Sequence, residues 1–270
     1  MNSANDEFAE ALRHLREEGD AIERIVRDLD YDEWRLPTPA QGWTIAHQIA
    51  HLAWTDGATL ATLSGDDSFA PYLREARDNP TGLTDDSAAE GAAKAPEDLL
   101  AVWTEGRGKL EAALSAANRR TRFTWFGPPM KARSLITARN METWAHGQDI
   151  ADALGAERED GAALRDVAHL GVITRDFAYR INGLEPPAAP FRVTLAAPDG
   201  DTWTWGPADA TDSVTGTARD FCLLVTQRRE PGELALDICG SRASEWARIA
   251  QAFAGPPKSV VRAAHDAHNY

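Results

Sequence analysis

The apolar residues of this chain change period once, and that change limits the folds open to it. Up to residue 183 they recur at helical spacing. After the stiff segment "LEPPAAP" (184–190) they alternate. Residues 6–29 carry Phe8, Leu12, Leu15, Ile22, Ile25, Val26 and Leu29 on one helical face. Thr44 is placed to cap a second helix from Ile45 to Leu63, with Ile49, Leu52 and Leu60 inward. A third helix begins at Pro96, with Glu97 and Asp98 at its positive end. A fourth runs from Lys131 to Leu154 with Gly155 as its stop, and a fifth from Gly161 to Ile181. "LPTPAQGW" (36–43) and "FTWFGPPM" (123–130) are non-helical connectors. Residues 65–95 hold at most a short helix in "DDSFAPYLREA" and otherwise read as a long surface loop, of the kind that serves as a lid or binding segment.

Beyond the linker, Asp199-Gly200 marks a hairpin between two strands, and "DSVTG" and "ELALDIC" read as further strands. "TARDFCLLVTQRR" and "SRASEWARIAQAF" read as amphipathic helices packed on them. The expected architecture is therefore two domains. An all-α up-and-down four-helix bundle with one extra helix covers 1–184, and a small α+β domain covers 185–257. A flexible tail covers 258–270.

Composition excludes several function classes. A formal net charge of −14 argues against a nucleic-acid binder, which needs clustered Lys and Arg. It does not argue against an anionic small molecule, which needs only one or two local Arg. The N-terminus "MNSANDEFAE" lacks the basic and apolar regions of a signal peptide, and no apolar run reaches membrane-spanning length. The expectation is a cytoplasmic protein that neither crosses a membrane nor binds nucleic acid. Its two cysteines, Cys222 and Cys239, sit among apolar residues and read as small buried core residues. The oligomeric state is not encoded in any pattern here.

Two helices carry the chemistry. "METWAHGQDIADALG" (141–155) places Glu142 and His146 at i, i+4, one turn apart on one face. That spacing allows one helix to give two ligands to one metal ion. "GWTIAHQIAHLAW" (42–54) offers His47 and His51 at the same spacing. His51 lies at the border of the apolar face and can point inward, while His47 is nearer the polar edge as a possible fourth ligand. Imidazole and carboxylate suit zinc and its neighbours, and three protein ligands with an open position make a catalytic site. Asp149 is placed to accept the ring N–H of a ligating histidine. Spacing alone leaves the other reading open, in which the acids are a solvated face and the histidines are hydrogen-bonded core residues. His14 and His169 have no ligand-spaced partner and read as structural. His265 and His268 fall in the tail.

These two motifs, in this order on an N-terminal bundle, resemble the DinB-like superfamily, and more closely the mycothiol-dependent maleylpyruvate isomerase family. "TWTWGPADATDSVTGTARDFCLLVTQRR" (202–229) is similar to that family's second domain, a small α+β fold resembling sterol carrier proteins. The resemblance implies a DinB-like bundle with a His-Glu-His metal triad on His51, Glu142 and His146, with zinc as the expected divalent ion. It implies mycothiol or a similar low-molecular-weight thiol as cosubstrate. It also implies a functional arginine in the second domain, for which Arg228 or Arg229 is the counterpart. His47 is not a ligand position of the family.

The expected function is a metal- and thiol-dependent isomerase or S-transferase acting on a small electrophile, with Arg228 or Arg229 pairing a substrate carboxylate. Trp54, Trp125 and Phe126 either wall its pocket or are plain core. One alternative is a metal-dependent hydrolase or isomerase using water, with Asp149 or His47 as proton-transfer group. The other is a non-catalytic protein that binds a metal and a small ligand. A closed four-ligand site including His47 would favour that last reading.

Overall fold

The computed structural model describes residues 3–255 and 257, with side chains from Asp6 onward, so the expected tail at 258–270 lies outside the described residues. Contacts divide the chain into two compact units, the first ending at Glu159 and the second beginning at Asp160.

The first unit contains α1 (Ser3–Val26), α2 (Ile45–Leu63), α3 (Ala70–Asp78), α4 (Leu83–Ala92), α5 (Pro96–Ala116), the two-residue strands β1 (Arg122–Phe123) and β2 (Met130–Lys131), and α6 (Ala132–Leu154). Helix α2 packs on α5 and α6, and α1 packs on the same two helices. The periodic faces read from the sequence fill the space between them. Ile22, Val26, Ile45, Ile49, Leu52, Trp103 and Ile150 form one buried cluster. Phe8, Leu12, Leu110, Leu114, Leu135 and Ile136 form a second. Helix α6 stops where expected, because Gly155 adopts φ 61°, a conformation that a side chain would strain.

The segment at 65–95 is not a loop. It folds into α3 and α4, and α4 lies against α2. Its sequence, "LTDDSAAEGA", has almost no large apolar residue to mark a period. It packs by being small instead. Ala88 is fully buried, and a Cβ on Gly91 would fall 2.6 Å from that of Ala50, so only glycine permits this approach. The aromatic connector is a short hairpin that pairs Phe123 with Met130.

The second unit contains α7 (Leu164–Ile173), α8 (Arg175–Ile181), β3 (Arg192–Ala196), β4 (Thr202–Trp205), β5 (Ser213–Thr217), α9 (Ala218–Val225), β6 (Asp237–Cys239) and α10 (Ser241–Ile249). Its sheet runs β4-β3-β5-β6, with β3 parallel to β5 and the outer pairs antiparallel. Val193, Leu195 and Val214 point into its core.

The boundary differs from the one drawn at the proline-rich linker. The expected fifth helix is two helices, interrupted at Thr174, whose hydroxyl bonds back to Leu170 O. Both belong to the second unit: α7 packs on α9 with Gly171 against Val225, and Tyr179 donates to Arg242 O at 3.0 Å. Helix α9 also ends earlier than expected, at Val225, before "TQRR". Of the two cysteines, Cys222 is buried with Sγ on Leu164 O, but Cys239 is exposed, because its position in β6 points outward.

Candidate metal centre

Thr44 opens α2 and Gly155 closes α6, and the packing of α2 on α6 brings residues of the two helices together. His51 Nε2 and His146 Nε2 each lie 3.2 Å from the same atom, Glu142 Oε2. The two imidazole centroids are 4.5 Å apart. One donor atom from each of the three residues lies within 4.8 Å of the others, and this is the group of converging donors found among the described residues. Glu142 is not on a solvated face, since its side chain is only 23% exposed and those of His51 and His146 are 9% and 11%. Burial by itself would raise the Glu142 carboxyl. The hydrogen bonds and charge of His146 and His51 outweigh it and hold the group well below the usual carboxylate range.

The three residues fit a divalent ion on two grounds. Two imidazole nitrogens and one carboxylate oxygen are a borderline donor set of the kind zinc and its neighbours take. In addition, His51 Nδ1 is buried without a hydrogen-bond partner, while its Nε2 is turned to Glu142 Oε2, the point where the other donors meet.

The surroundings differ from expectation. The close partner of His146 Nδ1 is Gln48 Oε1, at 2.5 Å, while Asp149 Oδ2 is 3.9 Å away. Gln48 was not singled out from sequence, although it precedes His51 by one helical turn. Nor does the sequence mark Trp43 as part of the site. Its ring stacks on His146 at 5.9 Å and lies 5.3 Å from His51, while its Nε1 donates to Asp85 Oδ1 of α4 at 2.8 Å. The segment expected as a loop therefore reaches the edge of the site.

His47 stands outside the converging group. It occupies the third position of α2, where its Nδ1 takes the Thr44 N–H at 3.3 Å and meets Thr44 Oγ1 at 2.8 Å. Burial lowers its imidazole below the ordinary value, with Asp85 opposing. His47→Ala is expected to leave metal content unchanged and to cost about 0.5–1.5 kcal/mol, the worth of one hydrogen bond at the helix start. Metal analysis beside urea unfolding checks both parts. His14 and His169 do not enter any converging group among the described residues. His169 Nδ1 instead accepts from Trp205 Nε1.

Trp54, Trp125 and Phe126 are drawn together with Phe69 and Tyr72 into one aromatic cluster, Trp54 stacking on Phe126 at 5.9 Å. Beside it a cavity of about 500 Å³ opens between α2, α3 and α4, with Trp54 and Tyr72 on its wall and Glu75, Asp86 and Glu90 around it. Arg228 and Arg229 lie in the second unit, just past α9. Gln227 between them and the helix takes φ 60°, a conformation uncommon outside glycine. Arg228 donates to Thr226 O and Arg229 to Arg228 O, both at 2.8 Å.

A helical unit that gathers two histidines and a glutamate, joined to a small α/β unit, defines the class. Comparison with known proteins gives the family. Residues 15–151 match the family model described as the mycothiol maleylpyruvate isomerase N-terminal domain. Residues 187–236 match a model described as wyosine base formation. Two relatives from Mycobacterium tuberculosis, strains CDC 1551 / Oshkosh and ATCC 25618 / H37Rv, are 53% identical over 243 residues, 90% of this chain and 95% of theirs; both are described only as uncharacterized proteins. The crystal structure of the mycothiol-dependent maleylpyruvate isomerase is similar in fold at 18% identity, with a TM-score of 0.57 over 83% of this chain and 90% of that one. A histidine-to-alanine mutant of it matches at 17% identity and the same TM-score, over 82% and 90%. The chain belongs to the mycothiol-dependent maleylpyruvate isomerase family. No helix among its described residues is long and apolar enough to cross a membrane.

Proposed function

We propose that the chain is a metal-dependent enzyme that uses a low-molecular-weight thiol, mycothiol or a close analogue, to isomerise a small electrophile or to transfer sulfur to it. The observation that carries this reading is the meeting of His51, His146 and Glu142 around one point, inside the part of the chain that matches the family model. These three residues would hold the ion, with zinc the preferred metal. When bound, it would favour the thiolate form of a thiol at neutral pH. In an isomerisation, a C–S bond forms at a conjugated carbon, the former double bond rotates, and the same C–S bond breaks to return the thiol. In a transfer, the C–S bond persists and a leaving group departs with its electron pair. Neither route needs an oxidant.

The protein's own groups have separable tasks in this reading. Trp43 covers the two histidine rings on one side and limits water there. Asp149, buried near His146, sets a carboxyl oxygen 3.9 Å from the ring. A carboxylate-bearing substrate would not seat its carboxylate in the cavity beside Trp54, whose charged lining is acidic. Its charge would need a guanidinium, the role proposed for Arg228 or Arg229. Because His47 is engaged in the helix cap, a closed four-ligand structural site is disfavoured.

Titrating cobalt-loaded protein with a low-molecular-weight thiol tests the reading. A new sulfur-to-metal absorption band that saturates is the expected result. Metal uptake with no spectral response to thiol would discard the thiol and leave metal-dependent hydrolysis or isomerisation by water.

A further inference from the structure

We infer that Gln48 and Thr38 form a relay that fixes His146 in the tautomer a metal ligand requires, its ring proton on Nδ1 and the Nε2 lone pair turned toward Glu142 and His51. This rests on the metal-centre reading above. The direction of every bond in the relay follows from its end. Trp43 O is a backbone carbonyl and can only accept. Thr38 Oγ1 lies 3.0 Å from it, so the single hydroxyl proton of Thr38 is used there. The side-chain amide of Gln48 meets Thr38 Oγ1 at 2.8 Å, and an oxygen whose proton is spent can only accept. Gln48 must therefore offer its NH₂ to Thr38, which turns Oε1 the other way, 2.5 Å from His146 Nδ1. An amide oxygen accepts only, so Nδ1 carries the proton.

The anchor of the relay is well held. Thr38 N also donates to Trp43 O at 2.8 Å, and Pro37 bridges to Thr44 in the turn that leads into α2. Gln48 is fully buried, so water has no access to replace it. With Nδ1 engaged by Gln48, the other ring nitrogen, Nε2, is the one that faces Glu142 Oε2, at 3.2 Å. His51 has no such device, since its Nδ1 lacks a partner. The triad is thus asymmetric. One imidazole is held from both ring nitrogens, and the other from Nε2 alone. Gln48 and Thr38 are positioning residues that act through His146.

The test uses the metal-free full chain labelled with ¹⁵N-histidine, in which two-bond ¹H–¹⁵N correlations report which ring nitrogen is protonated. Zinc affinity by chelator competition is measured in parallel. In the parent chain His146 should carry its proton on Nδ1. Gln48→Leu should move it toward Nε2 and weaken zinc by roughly 10–100-fold, the scale for losing the partner of a ligating histidine. Thr38→Val, nearly isosteric and only half-buried, frees the amide to turn over and should act in the same direction even if Gln48→Leu folds poorly. Gln48→Glu, which keeps an acceptor facing Nδ1, should retain both the tautomer and the affinity. A parent chain whose His146 Nδ1 carries no proton would overturn the inference, as would variants that leave Nδ1 protonation and affinity untouched. A relay-dependent tautomer in a chain that takes up no zinc would sustain the relay and sink the metal centre instead.

Discussion

Glu142→Ala is expected to abolish metal binding, from about one ion per chain in the parent to close to none, because it leaves two imidazoles where a site needs a third donor. The carboxylate is the hub of the arrangement, since one of its oxygens sits 3.2 Å from both Nε2 atoms. Its removal takes away both a ligand and the negative charge that makes a divalent ion welcome between the two imidazoles. Glu142→Gln separates these effects, because it keeps an oxygen and the shape but not the charge, and its affinity should fall between parent and alanine. Inductively coupled plasma mass spectrometry on protein purified without a metal-binding tag gives the content. A chelator should strip the parent chain and lower its thermal midpoint, because an ion that binds only the folded state stabilises it. The same chelator should leave the midpoint of Glu142→Ala unmoved. Equal metal in parent and alanine variant would mean that the three residues form a hydrogen-bonded polar core and nothing more.

What could be read from sequence followed residues whose effect is local. Thr44 and Gly155 act within one helical turn, so the span of α2 and the end of α6 were visible. The i, i+4 spacing of Glu142 and His146 is equally local. That His51 would complete the group depended on α2 and α6 packing face to face, which their apolar stripes imply but do not prove. Gln48 stayed hidden because its role depends on partners from two other places, the Thr38 turn and His146 of α6. A glutamine one turn before a histidine is otherwise an ordinary polar residue. Helix α4 was invisible because Ala88 and Gly91 pack through lack of bulk, and a hydrophobic period cannot register that. The unit boundary at Glu159–Asp160 leaves no mark in the sequence for a similar reason. The prolines of 184–190 stand out, whereas the packing of α7 on α9 rests on Gly171, whose Cβ would fall 2.7 Å from Val225. The left-handed Gln227 that stops "TQRR" from continuing α9 carries no sequence signal at all.

Asp56→Ala is expected to destabilise the first unit by about 3–5 kcal/mol while leaving metal content intact, since breaking a buried ion pair strands the surviving charge. Asp56 and Arg139 join α2 to α6 through an Oδ1–Nε contact of 2.9 Å, with side chains only 5% and 3% exposed. They lie on the same two helices as the candidate metal centre, and Arg139 stands three residues before Glu142. Arg139 Nη2 is already buried without a partner. Loss of Asp56 would leave the whole guanidinium without its carboxylate, in a place where water enters poorly. The pair should matter more for which faces of α2 and α6 meet than for net stability. Asp56→Leu combined with Arg139→Met should therefore recover most of the lost free energy, because well-packed apolar replacements of a buried pair are close to neutral. Urea unfolding of the single and double variants gives the cycle, and zinc affinity of the double variant gives the consequence for the site. If the ion pair fixes which helix faces meet, the double variant should be stable yet bind zinc more weakly than the parent chain. A stable double variant with parental affinity would show that the apolar cores around Ile49 and Leu135 suffice to bring His51 to Glu142.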